Sequence, residues 1–349
     1  MGTRGVRVSA IDFIVKLFKW DDLLMEIVSK NTHTDVVKAA HALIEGRLVA
    51  FPTETVYGLG ADASNLNAVK RIYEVKGRPS DHPLIIHISS VDRLDMWAMN
   101  IPNHALQLAS KYWPGPMTLI LERSKLAGDF ITGGQHKVGI RVPSHPVANS
   151  LLTEFEKIGG KGVAAPSANR FGAVSPTTAE AVVDEIGSAL GINDIVIDGG
   201  LSEIGIESTI IDCTATIPCI LRPGHVTAEM IEETLNSIKL QTPSQYNLNV
   251  SGNFDSHYSP RAQVILNELA NPGEGFIAMS NIETPPGAIR LTSPKTLQEF
   301  AQNIYSALRS ADHHKLQKIS IIVPEGNGLA VALRDRLTKA SSSKNIFYD

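Results

Sequence analysis

Only two cysteines, Cys213 and Cys219, occur in 349 residues. That is too few for a disulfide framework or for a zinc site built from paired thiolates. Their strand-like surroundings read as two buried apolar thiols. Long apolar runs are also missing, since no stretch approaches the roughly 20 residues that span a bilayer. A soluble, cytoplasmic protein with no membrane partner is the expectation. The opening MGTRGVRVSAIDFIVKLFKW carries Arg4, Arg7, Lys16 and Lys19. Its apolar run is short, interrupted by charge and without a small-residue cleavage site, unlike a secretion signal. A strong excess of charge is lacking too. At a net charge of −4, any hold on phosphates has to come from a local cluster of cations, which excludes a bulk nucleic-acid binder.

Several nucleotide and hydrolase signatures are absent. There is no GxxxxGK followed by Ser or Thr, so ATP would not be held by a P-loop, and no GxGxxG after a strand to mark a dinucleotide cofactor. Neither a GxSxG elbow nor an HExxH helix occurs.

What is present describes an ordinary globular chain, 43% hydrophobic and 19% charged, and long enough to expect two domains. Thr34 can cap a helix through DVVKAAHALIE that Gly46 ends, and RLVAF then reads as a buried strand. Further strands are expected in PLIIHI, MTLILE, VGIRV, GVAAP, DIVID and STIIDC. Helical stretches around ALQLASKYW, HPVANSLLTEF and TAEAVVDEIGSAL separate them, giving an α/β fold with a twisted, mixed sheet. Ser175 and Pro176 suit the start of the helix after Val174, with Thr177 in its first turn. Beyond VTAEMIEETLNSI the polar QTPSQYNLNVSGNFDSHYSP reads as a linker. Short strands and two helices then fit a small Rossmann-like α/β domain. The expected division is an N-terminal extension over 1–33, a main domain over 34–240, a linker over 241–261 and a C-terminal domain over 262–349.

Candidate chemistry gathers at the ends of these elements. In FPTETVYGLGADA, Thr53, Glu54, Thr55 and Tyr57 would project beyond a strand, at the carboxyl end of the sheet where open α/β folds bind ligands. The ordinary reading is hydroxyls that satisfy a local turn. Lys76 and Arg78 leave a helix end together before Pro79, suited to polyphosphate oxygens or merely to the helix dipole. His87 falls in an apolar alternation where a core histidine is the default. Arg141 in VGIRVP needs an anionic partner, either a substrate carboxylate or a structural acid. Ser167 and Asn169 follow a strand, and Ser208, Thr209 and Arg222 add a further hydroxyl pair and cation. Four cations, Lys76, Arg78, Arg141 and Arg222, thus converge on element ends, as a phosphate-rich substrate requires.

In order and spacing, PTETVYGLG, KGRP before PLIIHI, WPGPMTLIL, VGIRVP, PSAN with a following SPT, STIID and LRPG resemble the YrdC family of threonylcarbamoyl-AMP synthases. The resemblance covers roughly Thr34 to Leu240, and HYSP with the terminal domain is similar to the longer, two-domain members. It implies a YrdC-like catalytic domain and a nucleotidyltransferase. The reaction would make threonylcarbamoyl-AMP and pyrophosphate from L-threonine, bicarbonate and ATP, with Mg²⁺ bridging phosphates. The product would serve threonylcarbamoyladenosine modification of tRNA through a downstream transferase complex. By the same resemblance Lys76 and Arg78 are the catalytic cations. Arg78, His82, Lys137, Ser167, Asn169, Thr177, Arg222 and His257 surround ATP, and Tyr258 reaches the nucleotide beside His257. Thr55, His87, Arg141 and Ser208 surround L-threonine. His82 stands where the family often has asparagine, and Lys137 would need only its main chain. The N-terminal extension departs from the family, which makes Met25 a candidate natural start. The alternative is an RNA-binding module using the same basic cleft, with tRNA as its contact; the acidic total and the lack of an aromatic-basic RNA motif count against it.

Overall fold

The computed structural model describes residues 33–241 and 258–342, together with the backbone of three short strands, Lys19–Trp20, Leu23–Leu24 and Glu26–Val28. His257 lies outside the described residues. The fold is α/β, with one large mixed sheet and one small parallel sheet.

The large sheet runs Cys219–Arg222, Thr209–Asp212, Met117–Arg123, Lys137–Arg141, Ile85–His87, Val163–Ala164, Gly58–Asp62, Val49–Phe51, Ile195–Ile197 and Glu26–Val28. Parallel and antiparallel pairs are mixed along it, with three antiparallel pairs in succession from Ile85–His87 to Val49–Phe51. The apolar, β-branched runs therefore form strands as expected, and Glu26–Val28 joins the sheet's edge from within the N-terminal extension.

Strand periodicity then sorts the side chains between two faces. Ala50, Leu59, Ala61, Ile86, Leu119, Leu121 and Ile140 share one core with the helices Leu66–Lys76, Asn103–Tyr112 and Ala179–Ile186. On the other face, Val49, Phe51, Ile195 and Ile197 pack beneath the helices His33–Ile44 and Pro146–Lys157. That second cover reaches Val163 but not the neighbouring strands Ile85–His87 and Lys137–Arg141, where Ile85, His87 and Arg141 take the same face.

The small sheet has the order Gln263–Leu266, Lys318–Ile321, Gly275–Ile277 and Ile289–Thr292, all parallel. The helices Leu297–His313 and Leu329–Ser341 pack on it, and their amphipathic stripes make its core. Val56, Val174 and Ile206 of the large-sheet unit belong to that same core cluster, so the two units share apolar contact.

Two local readings shift. The helix expected from Ser175 begins at Ala179, capped by Thr178, whose side chain accepts from Ala181 N–H at 3.2 Å. Ser175 instead donates to Glu207 at 2.6 Å, and the Pro176 carbonyl accepts from Tyr57 N–H at 2.9 Å. Tertiary partners thus keep residues 175–177 out of the helix, and Thr177 precedes it. The first helix likewise starts at His33 and takes Thr34 inside its first turn. Cys213 and Cys219 are free and buried. Among the described residues no helix is long and apolar enough to cross a membrane.

Candidate active site

Register explains the convergence of cations. Arg222 is the partner of Ile210 and Ile210 of Thr118; one residue further, Leu119 pairs with Ile140, and Arg141 pairs with His87. Arg222, Thr118, Arg141 and His87 therefore lie along one row across five strands. A narrow cleft forms over this row. Thr53, Thr55, Arg78, His87, Arg141, Ser167, Glu207, Ser208, Arg222 and Tyr258 are among the residues that line it. Because the sheet is mixed it has no single carboxyl edge, so the cleft lies on a face and not at the edge that the sequence suggested.

Partners fix most of the polar groups at the cleft. Arg141 is 5% exposed; its Nη2 donates to Glu54 Oε1 at 2.6 Å and its Nε to the Gly115 carbonyl at 3.3 Å. The structural acid is thus Glu54, which also accepts from Ser144 N–H at 3.1 Å. No described residue takes the remaining Nη1. Beside it, burial and then the Arg141 charge push the His87 imidazole down to about 3. His87 is therefore neutral, and its buried Nδ1 has no hydrogen-bond partner.

The threonine pair divides its labour. Thr53 Oγ1 lies 2.6 Å from the Val56 carbonyl, to which it must donate its one proton, and 2.8 Å from Thr55 Oγ1. Thr55 is then the donor to Thr53, and its oxygen keeps acceptor capacity in the cleft. Thr53 is the turn builder that the ordinary reading described.

Arg222 donates from Nε and Nη2 to the Ser208 carbonyl at 3.1 and 2.9 Å, and from Nη2 to Ser208 Oγ at 3.1 Å. Ser208 Oγ also pairs with Thr118 Oγ1 at 2.8 Å. Arg78 donates to the Pro83 carbonyl at 3.0 Å and lies 5.8 Å from the centre of the Phe171 ring. Burial pushes its guanidinium down only to about 10, so it stays charged. These carbonyl partners help to orient the two arginines.

Lys76 and Arg78, read as a pair, part company. Gly77 at φ 60° turns the chain, Arg78 goes to the cleft and Lys76 is buried at 3% exposure. Its Nζ donates to the carbonyls of Ser167, at 2.6 Å, and of Asn169. Burial, with the Arg78 charge second, lowers its affinity for a proton well below the ordinary value. Asn169 in turn donates from Nδ2 to the Arg170 and Ala173 carbonyls at 2.8 Å each, while its buried Oδ1 has no partner.

Three expected residues are less central. His82 packs 5.2 Å from the Phe171 ring, beside Arg78 but outside the lining. Thr177 is buried, and its carbonyl accepts from Ser202 N–H at 2.9 Å. Lys137 is not brought to the cleft: it pairs with buried Asp212 at 2.8 Å and lines a separate groove with Arg123 and His136. It lies four positions from Arg141, roughly 13 Å along a strand. Sequence reasoning missed Thr118 and Glu207. The signal available for Glu207 was a lone acid directly before the apolar run STIID.

The Sua5/YciO/YrdC family, described as telomere recombination, matches residues 41–224, and the threonylcarbamoyl-AMP synthase C-terminal domain matches residues 226–342. The threonylcarbamoyl-AMP synthase of Pyrococcus abyssi is 41% identical over 88% of this chain and 94% of its own length. That of Bacillus subtilis is 37% identical over 95% of this chain and 100% of its own. The crystal structure of P. abyssi Sua5 complexed with L-threonine superposes with a TM-score of 0.80 at 37% identity, covering 91% of this chain and 97% of that one. This chain belongs to the Sua5/YrdC family of threonylcarbamoyl-AMP synthases, in its two-domain form.

Proposed function

We propose that the protein makes threonylcarbamoyl-AMP and pyrophosphate from L-threonine, bicarbonate and ATP, in the cleft over the His87–Arg141 row. The observation that supports this reading is the pairing in one cleft of a neutral imidazole and Arg141 with two further arginines, Arg78 and Arg222.

In this reading the threonine carboxylate takes the open Nη1 of Arg141, while Thr55, neutral His87 and Ser208 receive its amine and hydroxyl. The amine adds to bicarbonate with loss of water and gives a carbamate. A carbamate oxygen then attacks the α-phosphorus of ATP, and the bond to the β-phosphate breaks to release pyrophosphate. No protein nucleophile is needed; positioning and charge neutralisation do the work. Arg78 and Arg222 balance the phosphates, Ser167 and the Asn169 Oδ1 take the nucleotide's donors, and Thr177 and His82 flank it. Lys76 acts by holding the Ser167–Asn169 loop. Lys137 would contribute only its main chain, and His257 and Tyr258 would close on the nucleotide from the HYSP segment.

A protein cage for Mg²⁺ does not fit. Among the described residues no group of three or more metal-ligating side chains gathers. The two carboxylates at the cleft are held by arginines, Glu54 by Arg141 and Glu207 by Arg336. Any Mg²⁺ would arrive on the triphosphate as part of the substrate. The division into a catalytic domain over 34–240 and a C-terminal domain over 262–349, a cytosolic location and delivery of the adenylate to a tRNA-modifying transferase complex follow from the same reading.

Incubation with ATP, threonine and labelled bicarbonate tests it. Labelled threonylcarbamoyl-AMP and an equal amount of pyrophosphate are expected. Pyrophosphate release that does not depend on threonine would reject the reading, and strong salt-dependent tRNA binding without turnover would favour an RNA-binding module.

A further inference from the structure

Glu207 belongs to the cleft wall, yet two of its three donors come from the C-terminal unit. Ser175 donates to Oε1 at 2.6 Å, whereas Tyr305 OH and Arg336 Nε donate to Oε2 at 2.9 and 2.8 Å. Arg336 is 1% exposed, and its Nη2 also donates to the Pro223 carbonyl at 3.0 Å. One guanidinium therefore ties the residue before Ser208 to the residue after Arg222. Its carbon lies 5.2 Å from the Tyr258 ring centre, and Tyr258 stacks on Tyr305 at 5.7 Å.

The charges make this contact more than an adhesive. Glu207 lines the same cleft as Arg222 and would neutralise it if released, since a buried carboxylate seeks the nearest cation. Arg336 and Tyr305 fix the Oε2 oxygen of that carboxylate by hydrogen bonds, while Arg222 donates its own to Ser208. Burial opposes ionisation of Glu207, but Arg336, Arg222 and the hydroxyl of Ser175 outweigh it and hold the carboxyl at about 2.

We propose that Arg336 and Tyr305 are positioning residues for the synthase reaction: by holding the Glu207 carboxylate they keep Ser208 and Arg222 set for the substrates. This rests on the reading of the cleft as the threonylcarbamoyl-AMP site. It gives the C-terminal unit a role in catalysis without a residue that touches substrate.

The test compares full-length Arg336→Met, Tyr305→Phe and the double variant Glu207→Gln/Arg336→Met by threonine-dependent pyrophosphate release, with thermal melts to confirm folding. Arg336→Met is expected to raise the ATP KM about tenfold and the threonine KM less than about threefold. The double variant, in which no carboxylate is stranded, should recover part of that loss. Tyr305→Phe should raise the ATP KM about threefold with a melt close to wild type. A folded Arg336→Met with wild-type constants overturns the proposal, as does a double variant no better than Arg336→Met. If Arg336→Met does not fold, unchanged kinetics in Tyr305→Phe overturn it. Wild-type protein that releases no pyrophosphate would instead overturn the synthase reading, before any variant is made.

Discussion

Arg141 and Glu54 form a buried ion pair at 2.6 Å on the floor of the cleft, and only one end of the guanidinium is used in it. A lysine at 141 could still meet Glu54 but would lose the planar fork that offers a second nitrogen to a carboxylate. Arg141→Lys is therefore expected to raise the threonine KM about tenfold, with the ATP KM within about twofold. Initial rates with each substrate varied in turn check this. Equal changes in both constants would remove Arg141 from the threonine site.

Lys76 acts through the loop that it grips. Replacing it by Met keeps the buried stem but leaves the Ser167 and Asn169 carbonyls without their donor, at a cost of about 1–3 kcal/mol. Lys76→Met should lower the urea midpoint and raise the ATP KM about tenfold or more, since Ser167 and Asn169 lose their setting. A variant with wild-type stability and a lowered kcat alone would instead place the Lys76 amine at the reacting phosphate.

Much of this site was legible in the chain. Apolar, β-branched runs fix strands through a period of two, which also tells that Ile85 and His87 share a face. The rest depended on partners distant in sequence. Ser175 and Thr178 both offer a helix cap, and only Glu207, 32 residues on, decides between them. Lys76 and Arg78 are two residues apart, yet the left-handed Gly77 separates their destinations. Lys137 adjoins VGIRVP in sequence but lies at the far end of that strand. Arg336 did leave a signal, a charge among Leu329, Leu333, Leu337 and Ala340 on the buried stripe of its helix. A cation on an apolar stripe requires a buried acid, but sequence does not say which one.

Gly205 lets the two units approach. At φ 80°, a Cβ there would lie 2.4 Å from Gln302 Cα and 2.5 Å from the Ala301 carbonyl oxygen, both backbone atoms of the helix Leu297–His313. Gly205→Ala thus combines a disfavoured conformation with a clash that no side chain can relieve, a loss of about 2 kcal/mol or more. Hydrogen exchange should quicken in that helix and in the strand Thr209–Asp212, because residue 206 joins the shared core. Unchanged exchange in both elements would show that the close approach contributes nothing to stability.

Acid should loosen the fold through His87 before it reaches any carboxylate. The folded protein keeps this imidazole neutral down to about 3, whereas the unfolded chain takes up a proton near the ordinary 6.5. Between those values the unfolded state binds more protons, so stability falls as the pH drops below about 6.5 and is level with respect to His87 above it. At about 1.4 kcal/mol per pH unit, the loss from pH 6.5 to 5 is roughly 2 kcal/mol. His82, His145 and His225 are also lowered by burial and add to the same limb. Glu207, held at about 2, contributes only below the ordinary 4.5, where its ion pair begins to be lost to the protonated unfolded chain. Urea unfolding at pH 7.5, 6.5, 5.5 and 5 reads the slope directly. The His87→Asn variant should start less stable at pH 7.5 but lose roughly 2 kcal/mol less than wild type on the way to pH 5. Parallel curves for the two proteins would mean that His87 takes up its proton alike in the folded and unfolded states, and that in acid the cleft holds a fourth cation beside Arg78, Arg141 and Arg222.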